Sequence, residues 1–237
     1  MLAGESSASA SASRNGVLAA LASEAGDPVI DLAPVRMDHG GVVHEIGRAV
    51  ETVFFPVSCV VSVATRYGDD ALDVTTVGRE GLVSLPGLLG ADVHGALAVC
   101  RVAGEGLLLP VATARQLLVS DDRGLAVLHR YVSASFADLM QRLACNRVHS
   151  NEQRCACWLL KTQDRVGTPT FRLTHATLAT MLGVRRATVS ESLATLQRRA
   201  VVSSQHGTVT VLDRAALEAA ACDCYQVFRQ NFPSLTG

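Results

Sequence analysis

The chain has 237 residues, a net charge of −1 and a composition that is 49% hydrophobic but only 4% aromatic, enough for a substantial core in one large or two smaller domains. No apolar run reaches the roughly 18 residues of a membrane span, and the opening MLAGESSASASASRNG lacks both the basic cluster and the apolar core of a secretion signal. Seven scattered cysteines, an odd number, argue against a disulfide framework and for a reducing, cytoplasmic setting.

The net charge hides an asymmetry. Residues 1–140 hold 9 Lys/Arg and 16 Asp/Glu (−7), residues 141–214 hold 11 and 4 (+7), and residues 215–237 hold 1 and 2 (−1). A basic segment set against an acidic one is the electrostatic footprint expected for phosphate binding.

Residues 1–13 form a Ser/Ala tract with little apolar surface to bury, so a disordered tail is expected. Asn15 to Ala25 predicts a short helix around Val17, Leu18 and Leu21. From Asp27 to about Pro110 the texture changes to short β-branched runs at 42–43, 52–55, 60–63, 72–77, 98–102 and 107–109. Turn signals separate them: Asp38-His39-Gly40-Gly41, Tyr67-Gly68-Asp69-Asp70, Gly78-Arg79-Glu80-Gly81 and Gly104-Glu105-Gly106. Strands this short and evenly spaced predict an antiparallel β-roll or jelly roll, one domain over 14–120.

Helix returns at Ala112–Leu118 and then over 122–148, a segment long enough at roughly 40 Å to outrun one small barrel. Leu125, Leu128, Val132, Leu139 and Leu143 lie on its apolar stripe, and the seven-residue recurrence of Leu125, Val132 and Leu139 suits pairing with a copy of itself. One continuous core helix would show the same period. Polar His149–Glu152 predicts a hinge that closes a 121–149 dimerisation unit and opens a third domain over 150–237. Another helix follows at Arg154–Asp164.

The densest signal is Leu173–Val202. Leu178, Ala179 and Leu182 share a face of a first helix behind Thr174 as N-cap. Gly183 marks a reversal, because glycine enters left-handed backbone space without steric cost. Val184, Val189, Leu193 and Leu196 restart an apolar face on a second helix whose front shows Arg185, Arg186, Thr188, Ser190 and Glu191. An apolar back with a short, basic, hydrogen-bonding front is what a helix needs to enter the DNA major groove. Ser192 departs from the helix-turn-helix pattern, which expects an apolar residue there. Two β-branched runs, 201–204 and 208–212, flank Gln205-His206-Gly207 and predict a β-hairpin wing. An ordinary helical hairpin uses the same spacing, but the wing and the basic segment favour the DNA-reading version. Thr174, His175, Gln197 and His206 would then touch the DNA backbone.

In its order of elements, and in FFPVSCVVSV (54–63), TTVGREGLVSLPGLLG (75–90), ACNRVHSNEQRCACWLL (144–160) and LTHATLATMLGVRRATVSESL (173–193), the chain resembles the Crp/Fnr superfamily of bacterial transcription regulators. The resemblance implies an α+β fold: an N-terminal cyclic-nucleotide-binding-like roll, a long dimerisation helix and a C-terminal winged helix-turn-helix. It implies a homodimer on near-palindromic double-stranded DNA with half-sites about 10 bp apart, and RNA polymerase and a small-molecule effector as further partners. The residues depart from the cyclic-nucleotide-binding members, whose Glu accepts from the ribose and whose Arg neutralises the phosphate. Ser84 falls near the glutamate position and His94 at the arginine, while Arg79 and Glu80 come earlier, in a turn. Neutral His supplies little to a phosphate, so an effector other than cyclic AMP, or none, is expected in a pocket of Arg79, Glu80, Ser84 and His94. The reading pattern is altered as well, to Arg186-Ala187-Thr188-Val189-Ser190-Glu191; Arg186 can fork onto a guanine, but Ala187 cannot accept from cytosine.

Other chemistries have weaker signals. Cys155-Ala156-Cys157 and Cys222-Asp223-Cys224 invite a metal, but i and i+2 diverge on a helix, and no four-cysteine set lies near the N-terminus. Buried, unreactive thiols are expected, with no cofactor. His39, His44 and His94 lack the spacing of a cupin-like metalloenzyme, and no nucleophile elbow or phosphate loop occurs, so no enzyme is expected. A thiol redox switch using Cys145, Cys155 and Cys157 is the remaining alternative.

Overall fold

The computed structural model describes residues 12–25, 32–68 and 70–233. Most of the Ser/Ala tract expected to be disordered, and Asp69 of the expected 67–70 turn, lie outside them. The first helix, α1 (Gly16–Ala25), buries Val17, Leu18 and Leu21 as its spacing predicts. Asn15 fixes it in place: its amide donates to the carbonyls of Pro56 and Gly81 (2.8 Å each), and its carbonyl oxygen accepts from Val17 and Leu18 N–H (3.1 and 3.2 Å). A fully buried amide with every bond made costs little and aligns the helix on the roll.

The roll is built from β1 (Ala33–Met37), β2 (Val42–His44), β3 (Thr52–Pro56), β4 (Val60–Tyr67), β5 (Asp70–Val77), β6 (Leu97–Val102) and β7 (Gly104–Pro110). All pairings are antiparallel, in one sheet ordered β1-β7-β3 and another ordered β2-β6-β4-β5. Phe54 from the first sheet, Val61, Ala98 and Cys100 from the second, and Cys59 just before β4 share one buried cluster.

Four sequence expectations fail here for physical reasons. Strand β1 is hidden in the sequence because it carries Pro34; it sits at a sheet edge, where a missing N–H is tolerated. Gly104-Glu105-Gly106 is not a turn but the start of β7, and its glycines are required by close packing. A Cβ on Gly104 would strike the Ser58 backbone, and one on Gly106 the Phe54 ring. Gly78–Gly81 does turn, with Gly81 N–H donating to the Gly78 carbonyl at 3.1 Å. It is not a hairpin, however: it leads from β5 into a short helix, α2 (Leu85–Leu88).

After α3 (Val111–Leu118) comes α4 (Asp122–Val148), with the bounds expected from sequence. Asp121 caps it by accepting from Arg123 and Gly124 N–H (3.2 Å each). The helix ends at His149, and α5 (Asn151–Val166) opens with a capping box in which Ser150 and Gln153 satisfy each other's backbone donors. That reciprocal cap is why the chain breaks where the hinge was expected.

The fourth failure concerns α4. Leu128 is 2% exposed in the chain's own core beside α1 and α3, so it faces no partner. Leu125, Val132 and Leu139 are half-buried. Four apolar residues of the helix are exposed, Phe136 (65%), Met140 (54%), Leu143 (61%) and, at its end, Val148 (71%); the first three are spaced i, i+4 and i+7 on one face.

The C-terminal part holds α6 (His175–Leu182), α7 (Arg186–Arg198), α8 (Arg214–Ala220) and α9 (Cys224–Asn231), with a sheet β8-β10-β9 of β8 (Thr170–Arg172), β9 (Val202–Gln205) and β10 (Thr208–Val211). The hairpin is legible in the sequence; β8, three residues long, is too short to read. Helix α9 bridges two cores: Cys224 and Tyr225 pack with this unit, while Phe228 and, just past the helix, Phe232 join the cluster of Val17, Leu18 and Leu21.

Candidate nucleic-acid interface

Helices α6 and α7 are set by local chemistry. The Thr174 hydroxyl accepts from Thr177 N–H (3.0 Å), and Gly183 (φ 64°) closes α6 in the left-handed region. Leu178, Ala179, Met181, Val189, Leu193 and Leu196 are buried in one core with Trp158 and Leu159 of α5. Ser192 is also buried; its hydroxyl donates to the Thr188 carbonyl (2.9 Å), which lets a polar residue occupy an apolar position.

What remains outside is the front expected from sequence: Arg185, Arg186, Ala187 and Glu191 are exposed, and Thr188 and Ser190 half-exposed. Arg185 begins α7 with no side-chain cap, so the first backbone N–H groups are left for a partner. His206 stands exposed at the wing tip, in the left-handed region (φ 50°).

Three residues assigned to DNA contact hold the unit together as well. His175 Nδ1 lies 2.9 Å from Ser190 Oγ on α7, and its Nε2 lies 3.1 Å from Ser204 Oγ on the wing. Burial, then the Arg186 charge, lowers the His175 pKa. Gln197 accepts from Ser204 N–H at 2.6 Å. Recognition helix and wing are thus locked in one orientation.

The charge asymmetry is only partly a DNA footprint. Lys161 pairs with Asp138 (2.8 Å), Arg214 with Asp164 (2.8 Å) and Glu218 (3.0 Å), and Arg199 with Glu152 (3.1 Å). Arg142 donates to the Met181 carbonyl (2.8 Å), and Arg154 to that of Leu182. Arg172, Arg185, Arg186 and Arg198 stay exposed on the helix-turn-helix unit.

Between the roll and α4 lies a cavity of about 240 Å³, largely apolar, lined among others by Glu80, Ser84, His94, Tyr131 and Arg165. Three of the four residues expected in an effector pocket are there; Arg79 is not, and its guanidinium lies by Gly167. Both oxygens of Glu80 are already engaged within the chain. Arg165 Nη2 donates to its Oε1 (2.6 Å) and Nε to its Oε2 (3.1 Å), while Gly78 N–H also donates to Oε1 (3.0 Å). Arg165 is the functional residue that sequence reasoning missed, since nothing local marks a partner on another domain. His94 stacks on His44 with ring centroids 3.6 Å apart, and burial lowers its pKa. Stacked and with its charged form disfavoured by burial, it is poorly suited to anchor a phosphate. His39 lies elsewhere, its Nε2 3.1 Å from Thr177 Oγ1 of α6, so the three histidines form no cluster.

Residues 153–220 match the Crp-like helix-turn-helix domain family, and no curated protein matches the chain. The fold is similar to FixK2 of Bradyrhizobium japonicum (14% identity over 81% of this chain and 98% of that one, TM-score 0.68). It is also similar to TTHA1359, a transcriptional regulator of the CRP/FNR family from Thermus thermophilus (20%, 80% and 98%, 0.63). A third similar structure is the c-di-GMP-responsive global regulator CLP of Xanthomonas campestris (18%, 83% and 98%, 0.57).

Proposed function

From a chain whose residues 153–220 are a Crp-like helix-turn-helix domain on a Crp/Fnr-type fold, we propose a homodimeric transcription regulator that reads a near-palindromic DNA site. The observation that carries this reading is the outward Arg185-Arg186 start of α7, uncapped and locked against the wing through His175. Arg186 forks onto a guanine edge, Arg185 meets phosphate or base, and Thr188, Ser190 and Glu191 tune the neighbouring positions. Self-pairing along α4 is supported by the exposed stripe of Phe136, Met140 and Leu143, which in water costs free energy until it is covered.

The cavity supports an effector other than cyclic AMP. Its walls are mainly apolar, Arg165 is already neutralised by Glu80, and burial disfavours a charge on His94. A small, weakly polar molecule touching Tyr131 and Leu139 would press on α4 directly.

Selecting bound fragments from genomic DNA, with and without candidate small molecules, tests this reading. The expected result is a two-fold site with half-sites about 10 bp apart and affinity that falls steeply with salt. Equal binding to all fragments would overturn it.

A further inference from the structure

Four metal-type donors from distant parts of the chain converge beside the α4–α5 break. Cys145 and His149 are four residues apart at the end of α4 and share a face. Cys222 lies in the turn after α8, and Cys224 opens α9. The ligand atoms of all four lie within 4.8 Å of one another, with the three cysteines buried and the histidine half-buried. Within one helix Cys222 and Cys224 would diverge. They straddle a helix start instead, where i and i+2 can turn the same way.

We propose that Cys145, His149, Cys222 and Cys224 form a mononuclear site for a thiolate-preferring, tetrahedral divalent ion of the zinc class. The geometry selects it. With metal–sulfur bonds of about 2.3 Å and metal–nitrogen bonds of about 2.0–2.1 Å, a regular tetrahedron has S···S edges of about 3.8 Å and S···N edges of about 3.6 Å. Cys145 Sγ lies 3.7 Å from Cys222 Sγ, and Cys224 Sγ lies 3.5 Å from His149 Nδ1. A multi-iron cluster spreads its ligands over separate irons and needs a wider set of donors. A Cys145–Cys222 disulfide would require closure to about 2.05 Å, and would leave the approach of His149 and Cys224 without a cause.

Support around the donors fits the same reading. Gln141 on α4 donates its amide N–H to Cys224 Sγ (3.1 Å), the kind of outer bond that orients a ligand thiolate and steadies its charge. Three thiolates and an imidazole close the coordination sphere, which is the pattern of a structural rather than a catalytic ion. Its place is specific: one ion would staple the last turn of α4 to the α8–α9 turn, and so fix how the helix-turn-helix unit is carried.

The test uses the full chain, reduced, freed of metal and titrated with Co²⁺ without oxygen. One equivalent should bind, giving tetrahedral ligand-field bands and sulfur-to-cobalt charge transfer that one equivalent of Zn²⁺ abolishes; zinc should also raise the melting temperature. Cys145→Ser and Cys222→Ser should lose the spectrum. His149→Cys should keep it with stronger charge transfer, and Gln141→Ala should weaken binding about tenfold to a hundredfold. Cys59→Ala, in the roll, should change nothing. The proposal falls if the folded protein takes up no cobalt, if Cys145→Ser and Cys222→Ser keep the wild-type spectrum, or if reduction of a resident Cys145–Cys222 disulfide yields a protein that binds no metal.

Discussion

Arg165 on α5 and Glu80 on the roll form a two-pronged ion pair, with Nη2–Oε1 at 2.6 Å and Nε–Oε2 at 3.1 Å and side chains only 2% and 3% exposed. The guanidinium also donates to the Thr76 hydroxyl (2.6 Å) and carbonyl (3.0 Å), so four of its five N–H donors are occupied. Gly78 makes this possible, since a Cβ there would overlap the Arg165 methylenes. The pair links α5, which leads into the helix-turn-helix unit, to a wall of the cavity.

Removing one partner leaves the other charge buried and unpaired, which costs about 3–5 kcal/mol. Arg165→Met and Glu80→Leu should each destabilise the protein by that order in chemical denaturation. The double variant should be less destabilised than the sum of the two. An additive cycle would show that the groups do not act as a pair.

Arg186→Ala should weaken operator binding by about 1–3 kcal/mol and blur the preference for one base pair. Arg198→Ala should weaken all sequences alike and reduce the salt slope by about 1. Fluorescence anisotropy over a salt series with single-base operator variants separates the two effects. Equal specificity in wild type and Arg186→Ala would remove Arg186 from base reading.

Leu143→Asp and Met140→Glu should produce monomers in sedimentation without loss of folding, because both side chains are exposed. Leu128→Ala should behave in the opposite way. It should cost about 2–5 kcal/mol of stability and leave self-association intact, because Leu128 is packed inside its own chain.

Acid should destabilise the roll through His44. Burial first, and the neighbouring His94 charge second, lower its pKa to about 4. The unfolded chain therefore takes up a proton near pH 6.5 that the folded chain refuses. Stability is full above about pH 6.5 and falls as pH drops towards about 4, by at most about 3 kcal/mol. Melting temperatures measured across that window should fall in wild type and change less in His44→Gln. Parallel profiles would assign the acid loss to other groups.

The elements legible in the sequence are those whose causes are local. Thr174, Gly183 and the 3–4 spacing of Leu178, Ala179 and Leu182 mark the helix-turn-helix within a few residues, and the polar run His149–Glu152 marks the break between α4 and α5. What escapes a reading of the sequence depends on partners far along the chain. Glu80 and Arg165 are 85 residues apart, and Cys145 and Cys222 are 77 apart; neither pairing leaves a periodicity to read. Gly104 and Gly106 mislead for a related reason. Glycine that makes a turn and glycine that admits a neighbouring ring look alike until the ring of Phe54 is in place.

Phe228 and Phe232, with ring centroids 5.2 Å apart, complete a core that begins with Val17, Leu18 and Leu21. The first helix packs on α4, and Phe232 lies against Tyr131 of that helix, ring centroids 6.4 Å apart. Because a chain is synthesised from its N-terminus, the roll, α1 and α4 can meet early, but this core is complete only once Phe232 has emerged. A transcript cut short before Phe228 would yield a protein with an open seam, a ready substrate for proteolysis. A fully covered core thus belongs only to chains synthesised past that point.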